Sequence, residues 1–466
     1  MSLRTAAMRG GTYLVGRQAA SLVIHLSGVL LLTRLIGPTS YGMYATAFGI
    51  YTFLYTVGQC GVNVYLIRRE EPLTADAHRQ AFTLLLVIGT TLGAAAMLAT
   101  PLIERWTRID GLGPIARVLF WALPVQLLTL VPSAVLERAL DYRRVAQCEV
   151  IGQAACYLVA LPLAWRGLGA WAPVAGYWTQ QLVVLTLLVT AGRYRPALYW
   201  NRVLAREILT YGWTFSSVTW IWQLRELVNS LIVSRFAGAD AVAYVALTAR
   251  FVDALSFVKA AAWRLSIAVL PRLRLDTARL LSAVSEGMRL QVLVLGPIFV
   301  AFGLFAPIVT RSLFGERWVV VSQLFPFVAL GVLTGAVFNL YTSTLCLVNR
   351  TGHVAIFHFV HLILFFGGAL LLVPRIGVLG YGWSELIALP GYAVIYAFMS
   401  RDVGTPQLGI TAVWWLGSAI ALFWPRLGWW AALGPIVALA WPGTVAEFRR
   451  YAASLVALRH ARDAAH

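Results

Sequence analysis

Residues 33–45 read Thr33-Arg34-Leu35-Ile36-Gly37-Pro38-Thr39-Ser40-Tyr41-Gly42-Met43-Tyr44-Ala45, and residues 234–245 read Ser234-Arg235-Phe236-Ala237-Gly238-Ala239-Asp240-Ala241-Val242-Ala243-Tyr244-Val245. Each stretch gives a small hydroxyl residue, an arginine, two apolar residues, a glycine, a tight turn and a tyrosine entering the next apolar run. Arg34 aligns with Arg235, Gly37 with Gly238, and Tyr44 with Tyr244 after a one-residue gap. A second echo sets Arg166-Gly167-Leu168-Gly169-Ala170-Trp171 against Arg375-Ile376-Gly377-Val378-Leu379-Gly380-Tyr381. Short loops between antiparallel helices favour glycine for positive φ and arginine for reaching headgroups, so one echo alone decides little. Two echoes sharing an offset of about 200 residues and one helix order point to a duplicated chain, in which a substrate site falls between paired halves near mid-membrane.

The flanking sequence belongs in lipid. The chain has 466 residues, of which 60% are hydrophobic and 12% charged, and its mean hydropathy is +0.75. A soluble domain carries about 25% charged residues. About 14 apolar stretches approach the ~20 residues that span hydrocarbon as helix. The second is expected over 42–66, the seventh over 208–236 and the eighth over 242–270. The last two, 408–424 and 428–444, are short enough to form one re-entrant pair. No strand-like alternation appears, which excludes a barrel. The expected fold is an all-α integral membrane protein of about 14 transmembrane helices. The expected domains are an N-terminal lobe over residues 1–198, a C-terminal lobe over 199–402, and two further helices with a tail over 403–466.

The formal net charge of +18 invites a nucleic-acid partner, but the arginines are scattered over many short loops and form no single patch. Most lie on the side of the N-terminus, among them Arg4, Arg9, Arg68, Arg69, Arg143, Arg144, Arg193, Arg195, Arg202 and Arg206. This positive-inside bias places both termini in the cytoplasm of a multi-pass inner-membrane protein. The first apolar run is too long for a signal peptide and lacks a small-residue cleavage site, so it reads as a retained helix. Cys60, Cys148, Cys156 and Cys346 show no CxxC spacing and read as small packed hydrophobes, not a metal or disulfide framework. No metal site or cofactor is expected, apart from a coupling H+ or Na+.

Candidate functional residues are the charges inside apolar runs. Lys259, the only lysine, lies in the eighth run, and Arg225 and Glu226 lie in the seventh. An ionisable side chain at the bilayer centre costs about 2.5–3.5 kcal/mol on insertion scales, so it usually faces water, an ion partner or an anion. Arg225 and Asn229 are four apart and share a helical face. Arg250 and Asp253 are three apart and can pair locally. One reading gives Arg225 and Lys259 an anionic headgroup; the other fastens the two helices with a Glu226–Lys259 ion pair. In the first half, Arg17, Gln59 and Asn63 would line the facing wall, and His25 aligns with Glu226. Glu226, Asp253 and His25 are candidates for cation coupling. Glu385 suits packing as well as action.

Leu32-Thr33-Arg34-Leu35-Ile36-Gly37-Pro38-Thr39-Ser40-Tyr41-Gly42-Met43-Tyr44 resembles the first helical junction of Wzx-like polysaccharide transporters, in the multidrug/oligosaccharidyl-lipid/polysaccharide exporter superfamily. Arg138, Leu140, Tyr142 and Arg143 resemble the basic turn after that family's fourth helix. The resemblance implies a V-shaped, MATE-like pair of six-helix lobes. It also implies a flippase that carries undecaprenyl-diphosphate-linked oligosaccharide to the outer leaflet by alternating access, for exopolysaccharide or O-antigen assembly. A cationic cavity would fall on Arg225 and Lys259, with Arg17 and Arg250 as weaker members. Membrane lipids, a polysaccharide polymerase and glycosyltransferases are the implied partners, and a monomer is expected. The competing readings are a cation-coupled multidrug exporter and a membrane polymerase or glycosyltransferase. The last would need a large outer loop or an acidic catalytic motif, and HExxH, GxxxxGK[ST] and GxSxG signatures are likewise missing. The chain therefore reads as a non-enzyme.

Overall fold

The computed structural model describes the backbone of residues 3–69, 74–256, 259, 270–273 and 276–446; side chains are described from Ile24 onward, except His25, Leu26, Arg68, 213–215, 217–218 and 271–272. Arg17, His25 and the Glu70–Glu71 loop thus fall outside the described side chains. The protein is an all-α, multi-pass membrane protein. Among the described residues nine helices are long and apolar enough to cross a membrane, and a tenth if a pair bent by 64°, Gly409–Leu422 with Trp424–Ala440, counts as one span. The short C-terminal runs, expected at 408–424 and 428–444, form this bent pair. Gly417 and Gly434 close it, because a Cβ on either would sit 2.8 or 2.5 Å from the other's carbonyl oxygen.

Packing divides the chain into two compact units, one of Met1–Leu247, Arg311–Trp318 and Leu362–Ser384, the other of Thr248–Thr310, Val319–His361 and Glu385–His466. Packing and duplication are separate criteria: the first unit takes in the first repeat together with the start of the second.

In the first unit α1 (Leu3–Gly58) is two helices joined at Gly37, whose φ of 74° and ψ of 172° are non-helical. Short α2 (Val62–Arg68) follows, then α3 (Ala75–Thr107), the broken span α4 (Leu112–Phe120), α5 (Leu123–Leu128) and α6 (Leu130–Arg138), then α7 (Tyr142–Trp165), α8 (Trp171–Ala191) and α9 (Arg202–Gln223). A π-helix (Val228–Val233) leads into α10 (Ser234–Leu255), which breaks at Gly238 with φ 83° and ψ 179°. Gly37 and Gly238, aligned in the sequence, thus share one backbone conformation that is open essentially to glycine alone. Gly167 and Gly377 of the second echo also have positive φ, 82° and 63°. These paired conformations are what a duplication leaves behind.

The two repeat turns also meet. Gly42 and Gly49 lie two turns apart on the second half of α1. A Cβ on Gly42 would stand 1.8 Å from the Ala239 carbonyl oxygen, and one on Gly49 2.0 Å from Ser230 Oγ. Trp318, 2% exposed, packs its ring edge-on to Tyr41 and Tyr244 at centroid distances of 6.1 and 5.8 Å. The Trp106 indole donates to the Leu231 carbonyl at 2.9 Å, and Arg235 lies over the same indole. Trp318→Ala is expected to cost about 3–5 kcal/mol of stability through the cavity it leaves. A fall in detergent melting temperature would show it.

The second unit is built on α11 (Thr277–Phe314), α12 (Val320–Leu347), α13 (Thr351–Ile376), α14 (Val378–Ala388) and α15 (Tyr392–Asp402), parts of which it shares with the first. Apolar surface gives no packing force against lipid, so small residues and buried polar pairs fasten such helices. Gln291 and Asn339 exchange two amide hydrogen bonds of 3.2 Å between α11 and α12. His353 Nδ1 lies 2.7 Å from Asp402 Oδ2 and joins the start of α13 to the end of α15.

Candidate functional site

Hydrophobic periodicity predicts one continuous helix over 208–236, and the structure corrects this. α9 ends at Gln223, Leu224 and Arg225 form a turn, and the π-helix takes over at Val228. A π-turn widens the backbone and often marks a functional position within a helix. Arg225 and Asn229 therefore flank a break and do not share one regular helical face. The Arg225 guanidinium stands 4.7 Å from the Phe365 ring centre and 5.5 Å from that of Trp222. Ring faces attract a desolvated cation by about 2 kcal/mol, which helps hold this charge at depth. Asn229 donates through Nδ2 to the Val242 carbonyl at 3.4 Å, while its Oδ1 is buried without a hydrogen bond. Glu226, the adjacent residue, is exposed.

Gln59 and Asn63 fall at a second unforeseen break. The helix expected over 42–66 ends at Gly58, turns through Gln59, Cys60 (φ 44°) and Gly61 (φ 67°), and resumes as α2. The cause is a backbone crossing. A Cβ on Gly212 would lie 1.9 Å from the Cys60 carbonyl oxygen, so only paired glycines allow α9 to pass. Asn63 Oδ1 is buried there without a hydrogen bond. Buried polar atoms are nearly always paired, so Asn63 and Asn229 each offer an acceptor to water or a ligand.

In the second unit Lys259 is half-buried. It lies against α12 at Gly335, one turn after Gly331. A Cβ on Gly335 would lie 3.2 Å from Tyr392 Oη and 3.8 Å from Lys259 Nζ, and one on Gly331 2.9 Å from Glu385 Oε2. The two glycines cut a notch in which an ammonium, a phenol and a carboxylate rest against bare helix backbone. Glu385 is 2% exposed and His361 4%, with the His361 ring 5.2 Å from that of Tyr392. Trp415 closes the same stretch by donating to Thr334 Oγ1 at 3.0 Å. Arg250 is half-buried and Asp253 exposed on the last turns of α10.

Chemically, the Lys259 ammonium and the Tyr392 hydroxyl both offer hydrogen-bond donors to an anion. The sequence reading missed Tyr392 and the glycine notch, although the Gly331-Val332-Leu333-Thr334-Gly335 spacing is a recognisable signal for close approach in a membrane helix. Among the described residues no group of three or more His, Cys, Asp or Glu side chains is placed to hold a metal.

Residues 31–323 match the model of a family described as polysaccharide biosynthesis protein. The succinoglycan biosynthesis transport protein ExoT of Rhizobium meliloti (strain 1021) is 25% identical over 318 residues, 66% of this chain and 62% of that protein. The chain thus spans less than two thirds of that relative. Among solved structures, the lipid II flippase MurJ in an inward closed conformation superposes with a TM-score of 0.71 at 13% identity, covering 91% of this chain and 96% of MurJ. An inward-facing multidrug MATE transporter gives 0.58 at 14% identity, covering 83% of this chain and 99% of its own. At these identities the structures establish the fold alone.

Proposed function

We propose a function from one premise: this chain belongs to the polysaccharide biosynthesis protein family, in the Wzx-like group of the multidrug/oligosaccharidyl-lipid/polysaccharide exporter superfamily. It is a flippase that moves an undecaprenyl-diphosphate-linked oligosaccharide from the cytoplasmic to the outer leaflet of a bacterial inner membrane, by alternating access. Both termini lie in the cytoplasm, and the chain works as a monomer beside the polymerase and glycosyltransferases of surface-polysaccharide assembly.

One observation carries this reading: two cations lie against membrane-spanning helices, Arg225 at the π-helix break within its span and Lys259 Nζ against the glycine notch of α12. A diphosphate-sugar head cannot cross ~30 Å of hydrocarbon unaided. Fixed cations replace part of its hydration, while the polyprenyl tail stays in lipid. No covalent step is needed. By the sequence reading Gln59, Asn63, Asn229, Arg17 and Arg250 are further candidate substrate contacts, and Glu226, Asp253 and His25 are candidates for the coupling H+ or Na+, joined by Glu385.

Arg225→Ala is expected to lower surface polysaccharide at least tenfold with protein level unchanged, and lipid-linked oligosaccharide should accumulate in the cells. Arg225→Lys keeps the charge but loses the planar guanidinium over the Phe365 ring, so it should fall between the two. Unchanged polysaccharide in Arg225→Ala would remove this residue from the pathway.

A further inference from the structure

A groove of about 400 Å3 opens on the surface between the start of α7 and the end of α8. Its floor is the buried Cys148, its apolar walls are Ile151 and Leu187, and Arg144, Gln147 and Thr190 line its polar part. The Arg144 side chain stays at the surface, 59% exposed, and its Nε is held 3.2 Å from Asp141 Oδ2, which fixes the guanidinium beside the groove. An apolar slot with a cation at one end matches a lipid, whose acyl chain and phosphate are joined in that order.

The segment after α8 extends this character. Residues 194–201 form no helix or strand, and three of them are tied to α3. The Tyr199 N–H donates to Thr83 Oγ1 at 3.0 Å, the Asn201 N–H to Gln80 Oε1 at 2.6 Å, and the Tyr194 ring packs on Phe82. Around these ties the exposed side chains include Arg193, Arg195, Leu198 (69% exposed) and Trp200 (60% exposed). Arg202, Arg206 and the exposed Val203 continue the strip onto α9. A row of arginines interleaved with a tryptophan and aliphatic residues, at the ends of spanning helices, is the composition that lies in the headgroup layer of an anionic leaflet.

We propose that this groove and strip form a binding site for an anionic phospholipid of the leaflet facing the cytoplasm, with the phosphate at Arg144 and an acyl chain along Ile151 and Leu187. Arg193, Arg195, Arg202 and Arg206 enrich that leaflet's acidic lipids around it. None of these residues is among the cations assigned to substrate, and the proposal rests on the proposed function only for the leaflet that faces the cytoplasm.

The test uses the full chain in nanodiscs holding equal amounts of phosphatidylglycerol and phosphatidylcholine, with the lipids retained after mild detergent transfer counted by native mass spectrometry. The wild type is expected to keep phosphatidylglycerol at least tenfold over phosphatidylcholine. Replacing Arg144, Arg193 and Arg195 with serine should erase that preference, about fivefold for each charge. Ile151→Trp fills the groove without touching a charge and should lower phosphatidylglycerol retention tenfold. Equal retention of the two lipids by the wild type would overturn the proposal, and so would wild-type retention in either variant. Displacement of phosphatidylglycerol by an equal amount of undecaprenyl phosphate would assign the groove to the polyprenyl carrier, which also overturns it.

Discussion

Lys259→Ala should reduce surface polysaccharide at least a hundredfold while the protein stays in the membrane at its normal level. The ammonium is half-buried beside Tyr392 Oη and the bare backbone at Gly335. Carrying it into the bilayer centre costs about 2.5–3.5 kcal/mol, and a residue kept against that cost has a compensating ligand or partner. If the compensation is a phosphate on the passing headgroup, removing the charge strips transport and leaves folding largely intact. If it is a fixed ion pair, the neutral and similarly long Lys259→Met strands a buried partner at a cost of about 3–5 kcal/mol. Melting temperature separates these outcomes. Lost transport is expected in both variants. Lys259→Arg should recover only part of the activity, because the guanidinium is bulkier and the notch at Gly335 is tight.

Gly42→Val is the second substitution with a large expected effect. Its Cβ would stand 1.8 Å from the Ala239 carbonyl oxygen and 2.5 Å from the carbonyl carbon. Both are backbone atoms, so no side-chain rotation relieves the clash, and the seam between the first repeat and the second must part. Overpacking of this kind costs about 1–3 kcal/mol, occasionally more. If the alternating-access cycle proposed above closes this seam, the variant would be held out of the closed state. Polysaccharide should fall at least tenfold, and spin labels on the exposed positions Thr39 and Phe236 should move apart in double electron–electron resonance. An unchanged label distance with normal polysaccharide would mean that the seam is not a working contact.

Much of this architecture could be read directly from residue order. The paired glycines at 37 and 238 predicted a duplication, and they hold the same glycine-only backbone. The last two apolar runs read as short for full spans, and they form a pair bent by 64°. What escaped was the internal wiring of the spans. Hydrophobic periodicity reports which residues suit lipid and is blind to the hydrogen-bond pattern, so the breaks at Gln59–Gly61 and Leu224–Arg225 looked like ordinary helix. Both breaks have local causes: a backbone crossing at Gly212 and a widened π-turn. α12 is apolar on all sides, and no stripe in its sequence shows which face receives Lys259, Tyr392 and Glu385. Only the Gly331–Gly335 spacing carried that information. Glu385 was visible as an acid in an apolar run, but its near-complete burial depends on partners far along the chain.

The most direct measurement places the purified protein in vesicles carrying a fluorescent undecaprenyl-diphosphate oligosaccharide in both leaflets. A membrane-impermeant reductant then bleaches the outer label. With a flippase present, nearly all of the label should be lost as inner lipid reaches the outside, whereas vesicles with the Arg225→Ala, Lys259→Ala double variant should stop near half, as empty vesicles do. Wild-type vesicles that stop at half, or a double variant that bleaches as completely as the wild type, would contradict the assignment of Arg225 and Lys259 to lipid-linked sugar transport.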